Sequence, residues 1–298
     1  MNETKATPAA GHPANEAERA VAAQDMVWTR IYYGREVMER ILDTIQVKSA
    51  LRQRFVLRYA ARAAMAGVIV CLMYVFTYQV KTDLGPEFNV GLAKYLTALS
   101  FSVALVFIYF TNSELLTTNF MYFTVGQYYG RAKWADSLKI WSICLLGNLA
   151  GIAIAAAAVS CSGMLSNEFV GQLLHTVDEK TIASHGWKIL VEGICCNFFI
   201  NISVIVAMQL KEALAKTAVL MMGVSIFAYL GLEHVVANAA LFIMALFARP
   251  EAVSLLLSGK NLLLSLVGNY IGGGLVIGLF YAYLNDHRRD QIQPKPVE

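Results

Sequence analysis

Charge is scarce in this sequence. Only 15% of its 298 residues are Asp, Glu, Lys or Arg, whereas 57% are hydrophobic, and this balance excludes an ordinary soluble domain of that length. The net charge is only +3 and the basic residues lie at the ends of apolar runs, so nucleic acid is not an expected partner. A lipid bilayer is the expected environment.

Motifs that mark several other classes of protein are also missing. None of the six prolines follows an asparagine, which disfavours the nearest alternative, an aquaporin-type channel for neutral solutes with two Asn-Pro-Ala loops. Glu233-His234 is not part of an H-E-x-x-H motif, which disfavours an intramembrane metalloenzyme. The five cysteines show no CxxC and no metal-ligand spacing. No enzymatic activity, cofactor or metal is expected.

Six stretches of the sequence are apolar over about the 20 residues that a membrane-spanning helix needs. They are residues 59–80, 97–128, 138–160, 188–210, 217–248 and 261–284. The second and the fifth are too long for one crossing, and polar residues interrupt both. The sequence therefore predicts an all-α membrane protein with six transmembrane helices, of which the second and fifth are broken.

Basic residues cluster on one side of the predicted spans. They are Arg52, Arg54, Arg58, Arg62, Arg131, Lys133, Lys139, Lys211, Lys216, Arg288 and Arg289. Because cytoplasmic segments are enriched in Lys and Arg, both termini are predicted to lie in the cytoplasm, with the protein in the plasma or inner membrane. The predicted transport domain, 51–285, lies between an N-terminal extension, 1–50, that is partly disordered and partly amphipathic, and a C-terminal tail, 286–298.

Two motifs occur once in each half of the sequence. One is a Glu followed five positions later by an Asn, and the other is a Gly-Asn pair. They are Glu114 with Asn119 and Gly147-Asn148 in the first half, and Glu233 with Asn238 and Gly268-Asn269 in the second. The offsets are 119 residues at the Glu and 121 at the Gly-Asn. Each repeat contains three spans, and an odd number of crossings makes the second copy enter the membrane from the opposite face. The sequence therefore predicts an inverted repeat.

Two carboxylates and one histidine fall inside predicted spans. An intramembrane carboxylate costs roughly 2.5–3.5 kcal/mol on insertion scales, so Glu114 and Glu233 require an explanation. Either they bind the backbone amides freed at the two breaks, or they line a pathway in which each half-helix N-terminus favours an anion. His234 is the only histidine deep in a span, and imidazole exchanges protons at about pH 6–7.

The segments ELLTTN (114–119) and GLEHVVAN (231–238), with the two Gly-Asn pairs, resemble the formate/nitrite transporter family over about residues 50–284. The resemblance implies an aquaporin-like protomer fold and homopentamers with one pore per protomer. It also implies conduction of formate, nitrite, hydrosulfide, acetate or lactate. The expected function is a channel or transporter for small monovalent weak-acid anions, formate foremost, with protonation at a central histidine.

Matching the family position by position implies a set of site residues. The substrate pathway comprises Thr117, His234, Asn197, Asn238, Glu114, Glu233, Leu115 and Leu116. The constriction residues are Phe101, Leu105 and Phe227. Phe101 and Phe227 are expected on opposite sides of the midplane, since they belong to halves of opposite orientation. Lys180, with Lys188 nearby, is expected to attract the anion, a small monocarboxylate or inorganic species that moves with a proton.

Overall fold

The structure, a computed structural model, describes residues 34–286, which form helices and loops and contain no strand. The helices are α1 (Arg35–Arg54), α2 (Val56–Leu84), α3 (Val90–Phe110), α4 (Leu116–Tyr128), α5 (Trp134–Cys161), α6 (Asn167–Thr181), α7 (Gly186–Gln209), α8 (Ala213–Leu230), α9 (Val235–Ala248), α10 (Leu255–Asn269) and α11 (Phe280–Leu284). A 3₁₀ turn, Pro250–Ala252, precedes α10, and a π-helical segment, Tyr270–Leu279, joins α10 to α11. The predicted tail lies outside the described residues except for Asp286.

Six helices within this range are long and apolar enough to cross a membrane. They are α2, α3, α5, α7, α8 and the continuous helix Leu255–Leu284. The two overlong stretches of the sequence are each divided in two, into α3 and α4 and into α8 and α9. The predicted all-helical membrane fold with two broken spans is therefore confirmed.

Residues with left-handed backbone conformations end the first part of each broken span. Asn112 has a φ of 52° just after α3, and Gly231 has a φ of 72° just after α8. Asn and Gly adopt this conformation more readily than other residues, and it stops a right-handed helix. With 21 and 18 residues, α3 and α8 are each about as long as the bilayer is thick. The chain must therefore turn back before α4 and α9 begin.

The short helices α4 and α9 form the centre of the bundle. All residues from Leu116 to Gly126 are buried, as are most of those from Val235 to Ala245. The surrounding spans approach one another closely where glycines replace larger side chains. Gly151 of α5 lies against the backbone of Ala64, and a side chain at this position would clash with that backbone.

An amphipathic helix precedes each group of three spans. The buried faces are Val37, Met38, Ile41 and Ile45 in α1, and Phe169, Val170, Leu173 and Val177 in α6. The helix α6 was not predicted, because its 15 residues lie in a polar linker and are too few and too polar to span a bilayer. The helix α1 begins inside the predicted extension and crosses its boundary at residue 50. Each repeat thus contains an amphipathic helix and three spans, and we name the two faces of the bundle the α1 side and the α6 side.

Candidate functional site

Thr117 and His234 meet where the two broken spans meet. Thr117 is the second residue of α4, His234 precedes α9, and Thr117 Oγ1 lies 2.8 Å from His234 Nε2. His234 Nδ1 accepts a hydrogen bond from the Ala237 amide at 3.1 Å, so the neutral imidazole carries its proton on Nε2 and donates it to Thr117. The Thr117 hydroxyl can then donate its own hydrogen to a ligand. Both side chains are buried.

Asn148 from α5 holds the first break together. Its Oδ1 accepts the Leu116 amide at 3.2 Å, and its Nδ2 donates to the Glu114 and Ala63 carbonyl oxygens, both at 2.8 Å. A broken helix leaves backbone groups without partners, and at membrane depth each such group is costly. One asparagine side chain therefore satisfies groups on both sides of the break and ties them to α2.

Asn269 from α10 does the same at the second break. Its Oδ1 accepts the Val235 amide at 2.9 Å, and its Nδ2 donates to the Glu233 and Gly193 carbonyl oxygens, both at 2.8 Å. The interpretation that the Glu114 and Glu233 carboxylates bind the freed amides is wrong. An asparagine of a neighbouring span binds the first amide of each helix, and the carboxylates bind lysines.

The first carboxylate belongs to what we call the Lys48 triad, formed by Lys48, Glu114 and Asn119. Lys48, on α1, makes an ion pair with Glu114 and donates to Asn119 Oδ1 at 2.9 Å. Asn119 Nδ2 lies 3.1 Å from Glu114 Oε2 and 3.1 Å from the Tyr59 hydroxyl. Lys48 was not predicted, since it lies on an amphipathic helix where a lysine is commonplace.

The second carboxylate belongs to the Lys180 triad, formed by Lys180, Glu233 and Asn238. Lys180, near the end of α6, lies 3.2 Å from Glu233, which Asn238 also contacts. Asn261 adds a further donor, with its Nδ2 at 3.0 Å from Glu233 Oε2. Lys180, one of the two lysines expected to attract the anion, is thus buried at the second break. Lys188 is 57% exposed and pairs with another residue of α7, Glu192, at 3.8 Å.

Two asparagines of α7 hold the Thr117 backbone. Asn197 Nδ2 donates to the Thr117 carbonyl at 3.1 Å and to the Asn269 carbonyl at 2.7 Å. Asn201, which was not predicted, donates to the same Thr117 carbonyl at 3.3 Å. Leu115 and Leu116, the residues just before Thr117, are buried in the same region. The backbone at Thr117 is therefore held in place, whereas the hydrogen of the Thr117 hydroxyl can rotate.

The predicted constriction residues lie together beside His234. The Phe101 and Phe227 rings make an edge-to-face contact at 6.1 Å, and Phe227 stacks on His234 at 5.9 Å. Leu105 is buried one turn after Phe101 on α3. The expectation that the two phenylalanines lie on opposite sides is wrong. They are 126 residues apart rather than about 120, so they are not equivalent positions of the repeat. Tyr74, which was not predicted, packs at a tilt against Phe101, with the ring centroids 4.3 Å apart.

The model of the Formate/nitrite transporter family matches residues 35–283 of the chain. The formate channel FocA of Escherichia coli K12 is 28% identical over 254 residues, covering 76% of this chain and 87% of FocA. The formate-nitrite transporter of Plasmodium falciparum is 27% identical, covering 78% of this chain and 79% of that protein. The uncharacterized transporter YwcJ of Bacillus subtilis is 27% identical, covering 77% and 90%.

Solved structures show the same fold. An FNT family ion channel superposes with a TM-score of 0.74 at 24% identity, covering 83% of this chain and 98% of that one. A pentameric formate channel with formate bound superposes with a TM-score of 0.66 at 20% identity, covering 76% and 96%. The family model covers both broken helices, both triads, and the central threonine and histidine. The chain therefore belongs to the formate/nitrite transporter family.

Proposed function

We propose that this membrane protein conducts small monovalent weak-acid anions, formate foremost, together with a proton. The observation that carries the proposal is the buried hydrogen bond between Thr117 and His234 at the meeting point of α4 and α9. Two helix N-termini face this point and favour negative charge, and the Thr117 hydroxyl offers a donor to a carboxylate or nitrite oxygen. A small anion with hydrogen-bond acceptors fits this chemistry.

The apolar constriction determines the form in which the substrate crosses. Phe101, Leu105 and Phe227 are all at least 95% buried and offer no polar group to an ion. A bare anion in such surroundings costs many kcal/mol, whereas the neutral acid loses only its hydrogen bonds to water. The substrate therefore approaches as an anion and passes the constriction as the acid.

His234 is the proposed proton donor at the centre. To become imidazolium it must protonate Nδ1, the atom that accepts the Ala237 amide. Proton uptake thus loosens the first turn of α9. The anion takes the Nε2 proton through the Thr117 hydroxyl, which leaves a proton on Nδ1, and the hydrogen bond from Ala237 re-forms when the neutral imidazole returns to its Nε2-protonated tautomer. The lysines of the two triads hold positive charge on either side of the centre, although their paired glutamates reduce the attraction that they exert on an approaching anion.

The proposed test is the flux of labelled formate, nitrite, lactate and acetate into proteoliposomes at several pH values. Flux of at least one of these acids, rising as pH falls, is the expected result. Equal flux in protein-free liposomes at every pH would overturn the proposal.

The proposed assembly is a homopentamer in the plasma membrane, with the α1 side and both termini in the cytoplasm. The structural neighbour that binds formate is pentameric, and the basic clusters support this orientation. Single cysteines placed at the exposed positions Lys133 and Asn167 in a cysteine-free background test it. An impermeant thiol reagent outside the cell should label only the cysteine at 167. Labelling of both from one side would contradict the orientation.

A further inference from the structure

Tyr74 differs from the other residues on the inward face of α2. At 3.6 residues per turn it lies at the middle of a face whose other members are at least 93% buried. Those members are Tyr59, Ala63, Ala66, Val70, Thr77 and Tyr78. Tyr74 itself is partly exposed. The outward residues of α2, such as Leu72 and Phe76, lie on the opposite face, so the exposed part of Tyr74 faces an internal space and not lipid.

The position of that space follows from the two aromatic neighbours of Tyr74. Its ring packs at a tilt against Phe101, with the ring centroids 4.3 Å apart, which places it against the apolar constriction. One turn further along α2, Tyr78 packs on Phe169 of α6 at 5.4 Å. Tyr74 therefore lies on the α6 side of the constriction, where a substrate from that face would arrive.

The Tyr74 hydroxyl is free to bind a ligand. No side-chain or backbone group among residues 34–286 makes a hydrogen bond with it, and it is not one of the oxygens that are buried without a partner. A tyrosine combines an apolar ring with a polar tip and needs a hydrogen-bond partner at that tip when it is enclosed.

We infer that Tyr74 is a specificity-determining residue that donates a hydrogen bond to a carboxylate or nitrite oxygen of the substrate at the α6-side mouth of the constriction. This inference rests on the proposed function and adds a second donor to the Thr117 hydroxyl. The two donors lie on either side of the Phe101 and Phe227 rings, so an anion that arrives from the α6 side is held at the mouth before it passes the rings toward the centre. A hydrogen bond to a charged group is stronger than one between neutral groups.

Tyr74→Phe tests the inference because it keeps the ring that packs against Phe101 and removes only the hydroxyl. The matched control is Tyr78→Phe, which removes a hydroxyl from the same face of α2 one turn away, beside α6. Flux from the α6 side is measured against substrate concentration in oriented proteoliposomes, using whichever of formate, nitrite, lactate or acetate the wild type carries fastest. We expect Tyr74→Phe to raise the half-saturating concentration about tenfold with a smaller change in maximal rate, and Tyr78→Phe to leave both unchanged.

Three outcomes overturn the inference. The first is an unchanged half-saturating concentration in Tyr74→Phe, in protein shown by size-exclusion chromatography to be assembled as the wild type. The second is an equal rise in Tyr78→Phe, which would show a general packing effect. The third is a wild type that carries none of the four acids, which removes the proposed function as well and so is distinguished from the first two.

Discussion

The two triads have the same chemistry in different surroundings. On the α1 side Asn119 contacts Cys144, and on the α6 side Asn238 contacts Ser265, the position 121 residues later. By the same offset Ile140 corresponds to Asn261, which donates to Glu233 on the α6 side only. Among the described residues, Glu233 therefore contacts a lysine and two asparagines, whereas Glu114 contacts a lysine and one asparagine.

The comparison separates what a broken span needs from what it tolerates. Both halves keep the lysine, the glutamate and its asparagine, and both keep the Gly-Asn pair that binds the first amide of the short helix. These groups neutralise a buried charge and satisfy freed backbone atoms, and both tasks follow directly from breaking a helix in a bilayer. The residues packed around these groups are not needed for either task in both halves. They differ between the two halves.

The largest expected effect comes from removing either lysine. Lys48→Met and Lys180→Met each leave a buried carboxylate without its cation, which typically costs about 3–5 kcal/mol. We expect Lys48→Met to destabilise the protein more, by about 1 kcal/mol, because Glu233 keeps both Asn238 and Asn261 as donors. Thermal unfolding of the detergent-solubilised assembly measures the difference.

The double variants Lys48→Met/Glu114→Gln and Lys180→Met/Glu233→Gln are the controls and should recover much of the loss. Equal losses in the two single variants would refute the ranking.

The two cap asparagines are expected to contribute equally. Asn148→Leu and Asn269→Leu each remove three hydrogen bonds while keeping a similar volume, for a loss of about 2–4 kcal/mol. Ser203→Ala, which removes a hydroxyl bonded within its own helix, is the control and should change stability little. A clear difference between the two asparagine variants, measured in the same unfolding experiment, would show that the halves are not equivalent at the breaks.

His234 joins the two halves and is expected to control the pH dependence of transport. His234→Asn keeps an acceptor for the Ala237 amide and a donor for Thr117 but removes the titrating group. Between about pH 5 and pH 8, we expect the flux through His234→Asn to rise on acidification only in proportion to the neutral fraction of the substrate acid in solution. His234→Ala, which also removes the helix cap, should in addition lose about 1 kcal/mol of stability. Wild-type rate and pH dependence in His234→Asn would mean that the histidine only packs and caps.

The smallest expected effect concerns the difference of about 1 kcal/mol between the two lysine variants, which should disappear when the α6 side is given the pattern of the α1 side. Asn261→Ile places on α10 the residue that α5 has at Ile140. It removes the bonds that Asn261 donates to Glu233 and to the Lys180 carbonyl, and those that it accepts from Asn238 and Ser265. We expect the Asn261 substitution itself to cost about 2–4 kcal/mol, and Lys48→Met and Lys180→Met to cost equal amounts in this background. If Lys180→Met remained the milder change in this background, Asn261 would not be the source of the difference.

Much of the site could be predicted from local signals in the sequence. The apolar runs indicated six spans, and the polar residues inside two of them indicated the breaks, because polar groups at membrane depth are rare enough to stand out. His234 stood out for the same reason, whereas Thr117 was identified only through the resemblance to the family. The Gly-Asn pairs were recognised as markers of the repeat, although not as caps, since nothing in the sequence shows which backbone amide an asparagine will reach.

The sequence by itself determined the class of fold and the inverted repeat, and it singled out His234 as the one histidine deep in a span. Only the tertiary structure decided that Lys48 pairs with Glu114, that Phe101 and Phe227 lie on one side of the centre, and that Tyr74 joins them. The physical reason is the distance along the chain between the partners. Lys48 and Glu114 are 66 residues apart and lie on separate helices, so their contact depends on how those helices pack and turn, which hydropathy and spacing do not encode.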